Sequence, residues 1–299
     1  MFSKSLIAVS LLTALGLFLV IPGQVRADTI AYWRFENENG NSRLVEDELG
    51  AHDGTGTVQG PDMETGGLWA PIPNPDSNVT GGASNSGRAH FKAAYDDNVE
   101  VAAHDDWTQA EMGFTIEAMI RPDSVSAAHT LVSHWNTEYA DYRSWSFELQ
   151  VHGEGLHPAL RLHDTDGKEV VAVHDAFDIQ SNETYAVAAA FDPASSEIAL
   201  LGKRQGEGWM KQIFSLSGDK EFGKLKDPGA TNLRIGCLED GYPDFDEGPS
   251  GPYYAGDMDE VRFSSGALGH EDLLAYEGFV ATPEPGTTCL AVLAAGAGV

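Results

Sequence analysis

Gly113-Phe114-Thr115-Ile116-Glu117-Ala118-Met119-Ile120-Arg121-Pro122-Asp123 is the stretch that decides the fold. Phe114, Ile116, Ala118 and Ile120 alternate with Thr115, Glu117, Met119 and Arg121, so an extended strand here has one apolar face and one mostly polar face. Pro122 has no N–H to donate and ends the ladder. A strand patterned in this way needs a second sheet over its apolar face, and the sequence on either side supplies the strands for one.

Downstream, Thr130 to Trp135 and Ser144 to His152 read as strands, the second with Trp145, Phe147, Leu149 and Val151 on one side. His157 to His163 and Glu169 to His174 flank Asp166-Gly167, a strong hairpin signal. Tyr185 to Phe191 and Glu197 to Leu201 flank a second turn at Asp192 to Ser196. Lys211 to Leu216, Leu233 to Leu238 and Tyr254 to Phe263 follow. Upstream lie Thr29 to Glu36, Arg88 to Lys92 and Asn98 to Ala103, with a long Pro- and Gly-rich loop from Pro61 to Gly87. Short strands with turn chemistry between them predict an all-β, two-sheet antiparallel sandwich or jelly roll. One short helix is expected, over Gly269 to Tyr276, where acids occupy the first turn and apolar residues follow at helical spacing.

The ends of the chain carry a different signal. Met1 to Ala27 has Lys4, an apolar run from Leu6 to Ile21 and small residues at Val25 to Ala27, as a cleaved export signal does. Residues 28–280 then form the folded domain, and 281–299 a tail. The chain of 299 residues holds 46 acidic against 18 basic side chains, for a net charge of −28, which repels phosphate backbones and argues against nucleic acid as a partner. With two cysteines, Cys237 and Cys289, no disulfide framework holds the fold.

Tyr32-Trp33-Arg34-Phe35-Glu36, Asp47 to Gly54, Phe114 to Ala118, Leu233 to Gly236 and above all Gly256-Asp257-Met258-Asp259-Glu260-Val261-Arg262-Phe263 resemble the laminin G-like, concanavalin A-like jelly-roll family over nearly all of residues 28–279. Thr184 to Ala188 departs from the Trp-His-His-Val-Ala segment usual there. The resemblance implies a structural Ca²⁺ held by Asp47 and Asp259, with carbonyls of the Gly50 to Gly54 turn completing an oxygen shell. Pro283-Glu284-Pro285 and the apolar run from Cys289 to Val299 resemble a PEP-CTERM sorting signal shortened of its basic end, which implies an exported surface or extracellular protein that meets a membrane only through this tail.

Asp257, Asp259 and Glu260 are the carboxylates to weigh for catalysis. Strand alternation puts Asp257 and Asp259 on one face and Glu260 on the other, and the Glu-x-Asp-x-x-Glu arrangement of jelly-roll glycosidases is absent, so no catalytic residue is assigned. His129, His134, His152, His157, His163 and His174 lack the spacing of a zinc motif. The stretch from His134 to Trp145 pairs aromatic rings with polar groups: Trp135, Tyr139, Tyr142 and Trp145 beside Asp141 and Arg143. Sugars are held by ring stacking and by hydrogen bonds to hydroxyls, so these six residues are the candidate ligand contacts and a polysaccharide or other glycan the expected partner. The expected role is non-catalytic carbohydrate recognition or adhesion. A polysaccharide-acting glycoside hydrolase and a purely structural matrix component are the alternatives.

Overall fold

The computed structural model describes residues 28–36, 43–56, 60–68, 85–109, 111–135, 143–217, 222–229, 231–238 and 253–275. The segments read as an export signal and a sorting tail, most of the Pro-rich loop and the candidate contacts Tyr139, Asp141 and Tyr142 lie outside them. In chain order the strands are β1 (Thr29–Trp33), β2 (Leu44–Val45), β3 (Gly54–Gly56), β4 (Asp62–Thr65), β5 (Gly87–Phe91), β6 (Val99–Val101), β7 (Phe114–Pro122) and β8 (His129–Trp135). They continue with β9 (Arg143–His152), β10 (Gly155–His163), β11 (Glu169–Val173), β12 (Tyr185–Asp192), β13 (Glu197–Arg204), β14 (Met210–Ser215), β15 (Leu233–Ile235) and β16 (Gly256–Ser265).

The strands pair antiparallel into two sheets. Sheet A runs β14-β13-β12-β7-β16-β5-β4, with β1 also on β16, and sheet B runs β11-β10-β9-β8-β15-β6-β3-β2. Phe114, Ile116, Ala118 and Ile120 of β7 face Trp145, Phe147, Leu149, Leu160 and Leu162 of sheet B in one apolar core. This is the jelly-roll sandwich that the alternation predicts.

The outer face of β7 is covered, and residues 269–275 do not form the expected helix. The polar face of β7 is not open to solvent: Thr115, Glu117 and Met119 are all buried. Residues 269–275 fold back over it, with Leu274 and Ala275 against Met119, Tyr32 and Ala186, and Leu273 against Ala188 and Leu201. That segment is not the expected helix. His270–Asp272 make a single 3₁₀ turn, and Leu273 is already extended at φ −77°, ψ 149°. The reason is tertiary: the Leu274 N–H, which in an α-helix would donate four residues back to His270, donates instead to Glu117 Oε2 at 2.8 Å.

A β-bulge interrupts β16, where the register against β7 slips between Asp259 and Arg262 and Glu260 takes φ 50°. Met258, Val261 and Phe263 point into the core. Asp259 and Glu260 therefore share the outer face, contrary to the simple alternation, which sets them on opposite sides.

Candidate functional site

The acids of β16 are structural. Asp257 is 1% exposed and is clamped by Arg121, by Arg88 Nε at 3.2 Å and by His90 Nδ1 at 2.8 Å. Asp259, 0% exposed, accepts from Leu68 N at 2.9 Å, Asn85 Nδ2 at 2.7 Å and Glu260 N at 2.8 Å. Burial pushes its pKa up to about 7 against those donors, and the nearby Glu36 adds to the rise. Burial likewise raises Glu260, although Arg34 Nε at 3.3 Å and the Tyr32 hydroxyl favour its charge.

Asp47 is equally occupied. Its carboxylate accepts from the backbone N–H of Tyr32, Leu49, Ala51 and His52 at 2.8 to 3.2 Å, tying the turn after β2 to β1. Calcium takes oxygen ligands, whereas N–H donors fill the carboxylates of both Asp47 and Asp259, so the residues present do not fit the implied ion. In protein first stripped of all metal, we expect the same melting temperature with and without excess Ca²⁺. A rise with Ca²⁺ would restore the ion to this pair, by the mass-action stabilisation that any native-state ligand confers.

Of the candidate ligand contacts, Trp135 and Arg143 lie on the polar face of sheet B. Trp145 points the other way, into the core, 0% exposed, with its ring stacked on Phe263 at 5.5 Å and its Nε1–H donating to Trp107 O at 2.8 Å. It is a core residue and not a ligand contact. Trp135 and Arg143 are brought together on the outer face, where the Arg143 guanidinium lies 5.6 Å from the Trp135 ring centre. Arg161 of β10 lies 5.9 Å from the same ring, and His163 meets it edge-on at 6.0 Å. Trp135 is only 4% exposed, so it is the base on which two guanidiniums rest and not an open stacking platform.

Arg161 also pairs with Glu148 of β9, Nε to Oε1 at 3.0 Å and a second nitrogen to Oε2 at 3.3 Å, and reaches Glu169 of β11. Burial works against the Arg161 charge, but Glu148 and Glu169 outweigh it and raise its pKa. Gln150 Nε2 and the Ser146 hydroxyl donate to Glu148 as well. Beside this network is a groove of about 360 Å³ lined by His129, Thr130, Glu148, Gln150, Arg161 and Leu238. Arg161, Glu148 and Gln150 were not singled out by sequence. They occupy the outward positions of strands that the pattern does locate, and only the β9–β10 register, with Arg161 opposite Ser146 and Ala159 opposite Glu148, assembles them.

The architecture is that of a two-sheet jelly-roll sandwich. The family profile described as the concanavalin A-like lectin/glucanases superfamily, Laminin_G_3, matches residues 93–273, and the chain belongs to that family. Among solved structures, the binding domain of Paraclostridial Mosquitocidal Protein 1 is 13% identical, with a TM-score of 0.49 over 82% of this chain and 50% of its own. Domain 4 of AbnA, a GH43 extracellular arabinanase from Geobacillus stearothermophilus, solved with arabinotriose, is 13% identical, with a TM-score of 0.46 over 82% of this chain and 96% of its own. The tailspike protein 2 of Escherichia coli O157:H7 bacteriophage CAB120 is 16% identical, with a TM-score of 0.48 over 66% of this chain and 25% of its own. The match thus spans a quarter of the tailspike and half of the mosquitocidal binding domain. No curated protein matches the chain.

Proposed function

We propose that this protein is an exported, non-catalytic binding protein that recognises a glycan on the polar face of sheet B. The observation that carries the reading is the groove beside Arg161, Glu148 and Gln150, in which a guanidinium 5.9 Å from the Trp135 ring centre and fixed by Glu148 stands next to carboxylate and amide groups. Neutral sugars are recognised by such fixed donors and acceptors at their hydroxyls, together with apolar contact to their C–H faces. Leu238 supplies an apolar wall to the groove, and Val151, 47% exposed, a second. Membership in a family described by lectins and glucanases makes a saccharide the natural ligand class.

Two features favour binding over hydrolysis. Glycoside hydrolysis needs two carboxyl groups flanking the scissile bond, and among the described residues Glu148 is the one carboxylate lining the groove. Asp257, Asp259 and Glu260, the other candidates, are at most 1% exposed and fully engaged.

The test is a glycan array probed with the protein, followed by titration of a retained glycan into the parent, Arg161→Gln and Gln150→Ala. Hydrogen bonds from a charged donor contribute about 1.5–3 kcal/mol, so Arg161→Gln is expected to weaken binding by about one to two orders of magnitude while the fold persists. An array with no retained glycan, or a folded Arg161→Gln variant of unchanged affinity, overturns the reading.

A further inference from the structure

We propose that His52, His104 and Asp106 form a site for one divalent transition-metal ion of the zinc type at the rim of sheet B. The site follows from strand pairing. β3 and β6 are antiparallel neighbours with Gly54 opposite Val101. Continuing that register past the end of the ladder sets the turn before β3, which carries His52, beside the segment after β6, which carries His104. A 3₁₀ turn, Asp105–Trp107, then begins with His104 as its cap and places Asp106 against both rings.

His52 Nε2 lies 3.4 Å from Asp106 Oδ2, and His104 Nδ1 lies 2.9 Å from that same oxygen. One ligand atom from each of the three residues falls within 4.8 Å of the others, and no other group of three His, Cys, Asp or Glu residues does so among the described residues. Ligands bonded to a tetrahedral zinc at about 2.0–2.1 Å stand about 3.3 Å apart, so small side-chain rotations suffice to close the shell. His104 Nδ1 also accepts the Asp106 backbone N–H at 3.2 Å, a contact that a metal ion on the same lone pair would have to displace.

The surroundings are built to hold the ligands in place. The His52 ring packs on Trp107 at 4.5 Å between centres and meets the His104 ring at 4.9 Å. On the backbone, His52 N–H donates to Asp47 Oδ2 and its carbonyl accepts Trp33 Nε1–H at 2.9 Å. Asp47 therefore acts one step removed, as the anchor of the turn that presents His52. Imidazole nitrogens select zinc-like ions over calcium. The His104 and Asp106 side chains are 53% and 43% exposed, which leaves the fourth position open to water or to an outside ligand, as in zinc sites with three protein ligands.

The experiment uses the full, untagged chain, stripped of metal with a chelator and titrated with Co²⁺ and then Zn²⁺. One Co²⁺ per chain is expected, with the visible absorption of a low-coordinate site, displaced by Zn²⁺. His104→Ala and Asp106→Asn are each expected to weaken Zn²⁺ binding at least about tenfold, the loss typical even for residues one shell further out. Metal-free melting should be unchanged, since both side chains are at the surface. In the parent, Zn²⁺ should shift the imidazole resonances of His52 and His104 and leave those of His90 and His129 in place. Absence of Co²⁺ uptake, undiminished affinity in both variants, or Zn²⁺-induced shifts at other histidines would overturn the site and leave a plain histidine–aspartate pair.

Discussion

Arg262→Met is expected to destabilise the protein by about 3–5 kcal/mol, the usual result of removing one partner from a buried ion pair. Arg262 and Glu117 are both buried and face each other across β16 and β7, with Arg262 Nε 2.6 Å from Glu117 Oε1. A second Arg262 nitrogen donates to Asp272 O at 2.7 Å, and Glu117 Oε2 accepts from Leu274 N. The pair thus does two things at once: it satisfies a charge under the 269–275 segment and it pins that segment to sheet A. Without the guanidinium, Glu117 is left in an apolar setting that already raises its pKa by desolvation. Urea denaturation should show the midpoint falling. The double variant Glu117→Leu, Arg262→Met should recover much of the loss, because it leaves no uncompensated charge. A single variant as stable as the parent would show that the segment is held by its apolar contacts alone.

Trp145→Ala is expected to cost about 3–5 kcal/mol, as large aromatic truncations in packed cores do. The indole is fully buried, lies parallel to Phe263 within 6°, and is 5.0 Å from Phe114 between ring centres. The change also leaves the Trp107 carbonyl without its donor. The distinguishing readout is ligand affinity. A ring on the binding face would lose affinity when replaced, whereas a core ring changes stability and spares affinity in the folded fraction. Trp145→Phe should therefore bind glycan as the parent does, and a large drop in affinity in that folded variant would move the site toward β9's inner face.

What the sequence made legible followed from local chemistry. Alternation along β7 and β9 was readable because each inward side chain meets the opposite sheet. The β10–β11 hairpin was readable from Asp166-Gly167, where Gly167 adopts φ 82°. What stayed hidden depends on partners remote in sequence. Strands β2, β3 and β4 are two to four residues long and exist through their neighbours, with too few residues to show a period. The bulge at Glu260 reverses a face assignment that alternation alone would make. Trp135 and Trp145 look equivalent in sequence, yet the register slip between His134 and Trp135 leaves one on the outer face and the other in the core. The histidines that recur along the central strands are not the ones that meet an acid in a group of three; His52 and His104 do so through the pairing of two short strands.

The central claim, a glycan site on the polar face of sheet B, is tested most directly by amide and side-chain NMR of the protein titrated with a glycan that it retains. Shifts are expected at Gln150, at Arg161 and its guanidinium, and at the Trp135 indole N–H, with Asp257, Asp259 and Glu260 unmoved. Shifts centred on the β16 acids, with the β8 to β10 face silent, would contradict the account.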